Sequence, residues 1–568
     1  MSALILMIII FVGYILMYFL YGRFISKKIF NISSKNSVPS IDLEDGVDYV
    51  PTKKEIIFGH HFASIAGTGP IVGPAIAIIW GWLPAVLWVF FGAVFMGAVH
   101  DFGSLIISMR NQGKSISDFT SKYINKRTRI LFFLIAFLEL WIVIAIFGLV
   151  IAIIFKMFAT AIIPIWSQIP IAMLLGFMIY NKKVKNNWLP IIAVFIMYLT
   201  IIVGEYIPIN IHEIWGIPPT GIWTIILLIY VFFASILPVT VLLQPRDFIN
   251  AYQLFFTILL LVGGIITSTI FGGLDIVAPI YNASPTKAPS LWPFLFITIA
   301  CGAISGFHSL VSSGTTSKQI LNESDAPFVG IGSMLMEGVL ATLVIIAVAA
   351  GIGLGYNHGE STLFGIDAWN SHYSSWVAAK GLGSKIGAFV NGAANMICNM
   401  GIPRSIAVVI MGVFVASFAG TTLDSATRIQ RYVLTELFTG AKINIFKNKY
   451  FSTAVAVISA GLLAFSTGIG GKGALKLWPL FGAVNQTLAA LVLIIITLFL
   501  RKKGGYKWLV SGLPAIFMSV MTTWAIILNQ ISFYESNNIL LQIVNFTIFI
   551  IVVWIIIEGL LKFFKQTV

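Results

Sequence analysis

Apolar residues in this chain run in long unbroken stretches, and polar residues are confined to the short intervals between them. A helix needs roughly 20 apolar residues to cross the hydrocarbon core of a bilayer. Fifteen stretches are read as spans: 3–22, 56–80, 83–108, 130–155, 161–180, 188–204, 220–243, 250–273, 292–311, 330–355, 404–426, 451–468, 479–500, 508–529 and 539–560. None shows the alternation of an outer-membrane barrel strand, and only helices then satisfy the backbone in lipid. The pattern predicts an all-α, polytopic transmembrane helical bundle.

Composition agrees: 58% of the 568 residues are hydrophobic, 10% are charged, and the mean hydropathy is +0.96. A soluble domain carries about a quarter charged residues. The net charge of +14 sits in loops rather than on a basic stripe interleaved with aromatics, so no nucleic-acid partner is expected. With the N-terminus outside and the C-terminus inside, only Lys156, Lys287, Lys380, Lys385, Lys472 and Lys476 fall outside. Arg404 lies near a helix break, and every other Lys and Arg, Lys183 and Lys185 among them, falls inside, as the positive-inside rule requires. The first 22 residues read as a retained span rather than a signal peptide. Cys301 and Cys398 lie in apolar surroundings and suggest neither a disulfide framework nor a metal cluster.

The chain divides into residues 1–55 (first span and polar inner loop), 56–440 (core) and 441–568 (C-terminal spans). A long outer segment, 356–403, holds His358, Glu360, Asp367 and His372, then a half-apolar stretch, Ile386–Met400, that reads as a re-entrant or broken helix.

Chemistry is expected where Gly, Pro and hydroxyls cluster at membrane depth, because freed backbone groups must find a partner or line a wet cavity. The first cluster is Gly67-Thr68-Gly69-Pro70-Ile71-Val72-Gly73-Pro74 in the second span. It reads as an unwound segment, or alternatively as a kink that lets helices pack closely. The second, Ser235-Ile236-Leu237-Pro238 in the seventh span, lies five spans later and so on an oppositely directed helix. That offset suggests an inverted repeat of spans 2–6 against 7–11. The third is the hydroxyl run from Ser305 to Ser317, with His308, in the ninth span. It suits a hard cation or a hydrogen-bonded solute, or else simply caps a helix end. His100, Asp101, Glu139, Glu337 and Asp424 are ionisable residues inside spans, each either a proton relay or a structural partner. No HExxH, GxSxG or P-loop pattern is present, and His60-His61 has no accompanying metal-ligand spacing, so neither an enzyme nor a resident cofactor or metal is expected.

At these motifs the chain resembles the carbon starvation protein A family of bacterial transporters. The resemblance rests on GHHFASIAGTGPIVGPAIA, GAVFMGAVHDFGSL with SMRNQGKS, ASILPVTVLLQPRDF, GAISGFHSLVSSGTTSKQ and, more loosely, FAGTTLDSATRIQRY. It implies a carrier for peptides or pyruvate in the bacterial cytoplasmic membrane, associated with carbon starvation. It also implies kinship with the amino acid, polyamine and organocation carriers, whose LeuT-like core is five-plus-five inverted spans. By that similarity the second, seventh and ninth spans would match the first, sixth and eighth core helices.

The expected function is therefore ion-coupled import of a small carboxylate-bearing solute, with proton or sodium as the coupling ion. Ala66, Gly67, Thr68 and Gly69 would face the substrate, opposed by Ser235 and the backbone freed at Pro238. Ser312, Ser313 and Thr316, or His308 for a proton, would hold the ion. A membrane sensor for the same solute is the alternative, and an intramembrane enzyme using His60, His61 or His308 is a weaker one.

Overall fold

The computed structural model describes residues 2–182, 188–358 and 361–565; Lys183, Lys185 and Glu360 lie outside the described residues. All fifteen expected spans are helical, but their ends and breaks differ from the sequence reading. Among the described residues, twelve helices are long and apolar enough to cross a membrane, and a bent pair makes a thirteenth. That pair is α2 (Lys54–Ala66) and α3 (Gly69–Ala77), which follow α1 (Ala3–Ile29). Next come α4 (Trp82–Met109), a short α5 (Ile116–Tyr123), α6 (Lys126–Met157), α7 (Ala159–Tyr180), α8 (Leu189–Tyr206), α9 (Pro219–Ile236) and α10 (Leu243–Phe271). The ninth span is broken into α11 (Leu291–Thr298) and α12 (Gly306–Gly314). After it run α13 (Glu323–Leu354), α14 (Gly365–Tyr373), α15 (Leu382–Cys398), α16 (Arg404–Gly440), α17 (Lys449–Ala464), α18 (Trp478–Lys502), α19 (Leu509–Glu535) and α20 (Ile539–Lys565).

The helices pack in matched pairs. α3 lies against α13 as α12 lies against α4, α6 against α9 as α16 against α17, and short α5 against α6 as α15 against α16. α6 and α16, each the partner of the other in this scheme, form a contact matched in extent only by that of α18 with α19 among the described residues. The pattern is that of two five-helix halves, and it corrects the expected pairing of breaks. The discontinuous helix that faces α2–α3 is the ninth span, not the seventh. In the seventh, Pro238 follows the end of α9 at Ile236 and terminates it, leaving no half-helix beyond. The helix that completes the second half opposite α6 is α16, so the eighth core helix is α16 and not the ninth span. α7 and α8 pair with each other on α10, while α19 and α20 lie on α18.

Close approach at the break depends on small residues. α4 passes the broken ninth span at Gly92 and Gly97, and a Cβ at Gly97 would strike the Ala303 carbonyl oxygen. Gly148, in the middle of α6, has open space where a Cβ would be. Gly97→Val should therefore lower stability by about 1–3 kcal/mol through overpacking, whereas Gly148→Ala should leave it unchanged or slightly raised. Thermal unfolding in detergent compares the two, and equal effects would mean that α4 does not seat the break.

Candidate functional site

The chain leaves its helix twice at membrane depth, and the two departures face each other. Gly67 ends α2 with φ of 42°, a left-handed conformation that costs a residue with a Cβ. Pro70, at the start of α3, needs no amide there, and α3 sets off at 42° to α2. Opposite, Gly302 has φ of 90° in the segment that separates α11 from α12. A Cβ on Gly69 would collide with Cys301 Sγ, and one on Gly73 would come within 2.6 Å of the Thr298 carbonyl oxygen. The glycines set how closely the two breaks approach.

A cavity of about 820 Å³ ends at these breaks. Gly67, Thr68 and Gly69 line it from one side and Ala300, Cys301 and Ser305 from the other, with Phe147 of α6 and Thr422 of α16 beside them. Asn485 of α18 holds the second break by accepting from the Phe307 amide (2.9 Å) and the Ser305 hydroxyl (3.1 Å). Towards its mouth the cavity carries Lys287, Lys380 and Lys385, with Trp376 and Trp478, and no Asp or Glu lines it among the described residues.

The expected site residues are distributed unevenly around this space. Ala66 is buried at the end of α2, directly before the lining residues Gly67, Thr68 and Gly69. Ser235 and Pro238 do not line the cavity; they sit where Arg428 of α16 donates to the Ala234 and Leu237 carbonyls. Ser312 is buried with its hydroxyl unpartnered, Ser313 donates to the Ser309 carbonyl at 2.7 Å, and the Thr316 hydroxyl meets His61 Nδ1 at 2.9 Å. The hydroxyls that do meet the first break belong to α16. Thr422 donates to the Ser64 carbonyl (3.2 Å), and the Ser64 and Ser425 hydroxyls are 2.8 Å apart. Sequence reasoning passed over Cys301, Gly302 and Thr422 because neither stretch contains a proline. The small-residue run Ala300–Gly306 was the available signal.

Two ionic clusters are buried within the bundle. In one, His60 Nδ1 meets Asp247 at 2.6 Å, and Arg246 pairs with Asp424 at 2.5 Å beside the Tyr230 hydroxyl. In the other, His308 of α12 stands between Asp101 of α4 (Nδ1, 2.9 Å) and Glu337 of α13 (Nε2, 3.4 Å), and His100 Nδ1 meets Asp101 at 2.7 Å. Cys301, His308 and Glu337 each bring a donor atom within 4.8 Å of the others, the one such trio among the described residues. Glu139 lies apart from both clusters, buried, with neither oxygen hydrogen-bonded.

At the opposite end from the lysines the bundle is sealed. The Asp45 carboxylate accepts from the amides of Val47, Asp48 and Tyr49, turning the loop so that Asp48 points at Arg428 (2.8 Å) and Arg431 (3.1 Å). The same loop bonds through its backbone to Val239 and to Lys318 and Gln319.

A family model described as carbon starvation protein CstA matches residues 2–525. The chain belongs to the CstA family. Relatives in this family include a peptide transporter CstA of Campylobacter jejuni, 32% identical over 93% of this chain and 80% of its own length. A pyruvate/proton symporter BtsT of Escherichia coli is 31% identical over 90% of this chain and 80% of its own. Among solved structures, a manganese transporter of Eremococcus coleocola shares the fold at 10% identity, with a TM-score of 0.52 over 92% of this chain and 99% of that one. This CstA-family chain is thus a multi-span membrane protein with the two-break core of transporters.

Burial pushes the Asp48 carboxyl up, but Arg431 and Arg428 outweigh it and hold it at about 2 instead of the ordinary 3.8. An acid lowered in this way contributes its full strength to the seal above 3.8 and gives it up progressively as pH falls from there through about 2. At neutral pH Asp48→Asn removes the whole contribution and strands two guanidinium groups, a loss of about 3 kcal/mol for a partly buried pair. The expected result is faster labelling of cysteines introduced next to Arg428 from the Asp48 side. Unchanged labelling would mean that the loop is not the seal.

Proposed function

We propose that this chain is a secondary transporter of the bacterial cytoplasmic membrane that imports a small carboxylate anion of the pyruvate class, driven by a proton gradient. It acts as a carrier and not as an enzyme. The carrier core extends beyond the expected 56–440, from Lys54 to Lys502, because α17 packs on α16 as α9 packs on α6, with the N-terminus outside and the C-terminus inside. The observation that carries the substrate is the charge of the cavity. Three lysines line its wall, the N-terminal end of α3 opens at its floor, and no carboxylate faces it among the described residues. Helix N-termini and ammonium groups both favour an anion. The volume of about 820 Å³ would hold either pyruvate or a dipeptide, so charge discriminates where size does not.

A peptide is the second reading, favoured by relatives named as peptide transporters. A zwitterionic peptide would find a partner for its carboxylate but none for its ammonium, and an unpaired buried charge is costly. The choice of proton over sodium rests on the titratable cluster that adjoins the second break.

Proteoliposomes containing the purified chain test the reading. Labelled pyruvate should accumulate under an inward proton gradient and not under a sodium gradient, and Lys385→Gln should raise the KM for pyruvate about tenfold, the worth of one charged contact near 1.4 kcal/mol. Accumulation of dipeptides with pyruvate excluded would overturn the anion assignment. Binding without accumulation under either gradient would instead make the protein a sensor.

A further inference from the structure

The cluster around His308 has a composition that hydrogen bonding alone does not explain. Asp101 and Glu337 approach one imidazole from opposite sides, and all three side chains are completely buried. No Lys or Arg pairs with either carboxylate among the described residues; the paired cations of the bundle lie elsewhere. With both carboxylates ionised and the imidazole protonated, the trio keeps one uncompensated negative charge in a low-dielectric interior. Such a charge is relieved by binding one proton. Asp101 is hydrogen-bonded to both His100 and His308. Neither oxygen of Glu337 is hydrogen-bonded with good geometry. Glu337 is therefore the oxygen donor left open to a proton.

The groups facing this pair come from every neighbouring element. They are His100 and Asp101 of α4, His61 of α2, Tyr14 of α1 and Cys301 of the break. His61 spends Nδ1 on Thr316, and the Tyr14 hydroxyl donates to the Val89 carbonyl. Cys301 belongs to both regions. Its thiol lies within 4.8 Å of the His308 and Glu337 donor atoms, and the residue lines the substrate cavity. The Gly302 amide approaches Glu337 from the same break.

We propose that the buried His308–Glu337 pair, flanked by Asp101, is where the carrier binds its coupling proton, which arrives from the cavity past Cys301. The proton adds to a Glu337 carboxylate oxygen as an O–H bond and cancels the excess charge; the imidazole keeps its own protons. The step rests on the proton-driven reading above and deepens it. It also supplies the coupling, because Glu337 on α13, Asp101 on α4 and His308 on α12 belong to three different elements meeting at the second break. Neutralising Glu337 weakens its attraction to His308 and so the hold of α13 on α12, and the break that faces substrate feels the proton.

The test uses the full chain in liposomes with two readouts. Infrared difference spectra between acidic and alkaline pH, without substrate, should show a carboxylic-acid carbonyl band that disappears in Glu337→Gln and persists in Glu337→Asp. In transport, Glu337→Gln should lose gradient-driven pyruvate accumulation at least tenfold while retaining pyruvate counterflow, and Glu337→Asp should recover accumulation with a shifted pH profile. Accumulation accompanied by proton entry in Glu337→Gln, or an infrared band unchanged by the substitution, would overturn the assignment. Should wild-type protein transport no pyruvate, the substrate reading fails while the infrared band still decides the proton site.

Discussion

A backbone that leaves its helix inside a bilayer must find new partners, because the hydrocarbon offers none. Everything distinctive about this bundle follows from doing so twice in the same place. At Gly67 and at Ile299–Ser305 the chain unwinds, and the two unwound pieces are brought to within contact of each other by glycines that carry no Cβ to keep them apart. Side chains of other helices then make up the missing bonds, Thr422 at the first break and Asn485 at the second. The result is a polar floor to a cavity whose walls are apolar apart from hydroxyls, an amide and the three lysines.

The two ends of the bundle are treated differently. One end is open, basic and aromatic, and it leads to the breaks. The other is closed by a loop folded on the Asp45 carboxylate and pinned by Asp48 to two arginines of α16. Since α16 also supplies the hydroxyls at the first break, the seal and the cavity floor share one helix. A movement of α16 that opens one will be felt at the other, which is the mechanical requirement of alternating access.

Much of this was legible in the sequence. The spans followed from apolar length. The first break followed from Gly67, Gly69, Gly73, Pro70 and Pro74. The second was not legible by the same rule, since Cys301, Gly302 and Ala303 bring no proline and a single glycine is ordinarily tolerated in a helix. Pro238 misled because a proline that ends a helix and one that splits it look alike until the chain beyond is known. The roles of Thr422 and Ser425 depend on α16 lying across from α6, a long-range pairing that no local pattern encodes. His308, Asp101 and Glu337 were each visible as costly intramembrane groups, but only packing brings them into one cluster.

The central claim is that the cavity ending at the two facing breaks is where substrate resides, and Cys301 gives direct access to it. The chain has only two cysteines, so Cys398→Ser leaves Cys301 as the single thiol at the cavity floor. The rate of its alkylation by a small membrane-impermeant reagent, added from the side of Lys380 and Lys385, should be measured with and without pyruvate. The account predicts labelling that saturating pyruvate slows several-fold. Labelling that pyruvate leaves untouched, or no labelling from that side at all, would contradict it.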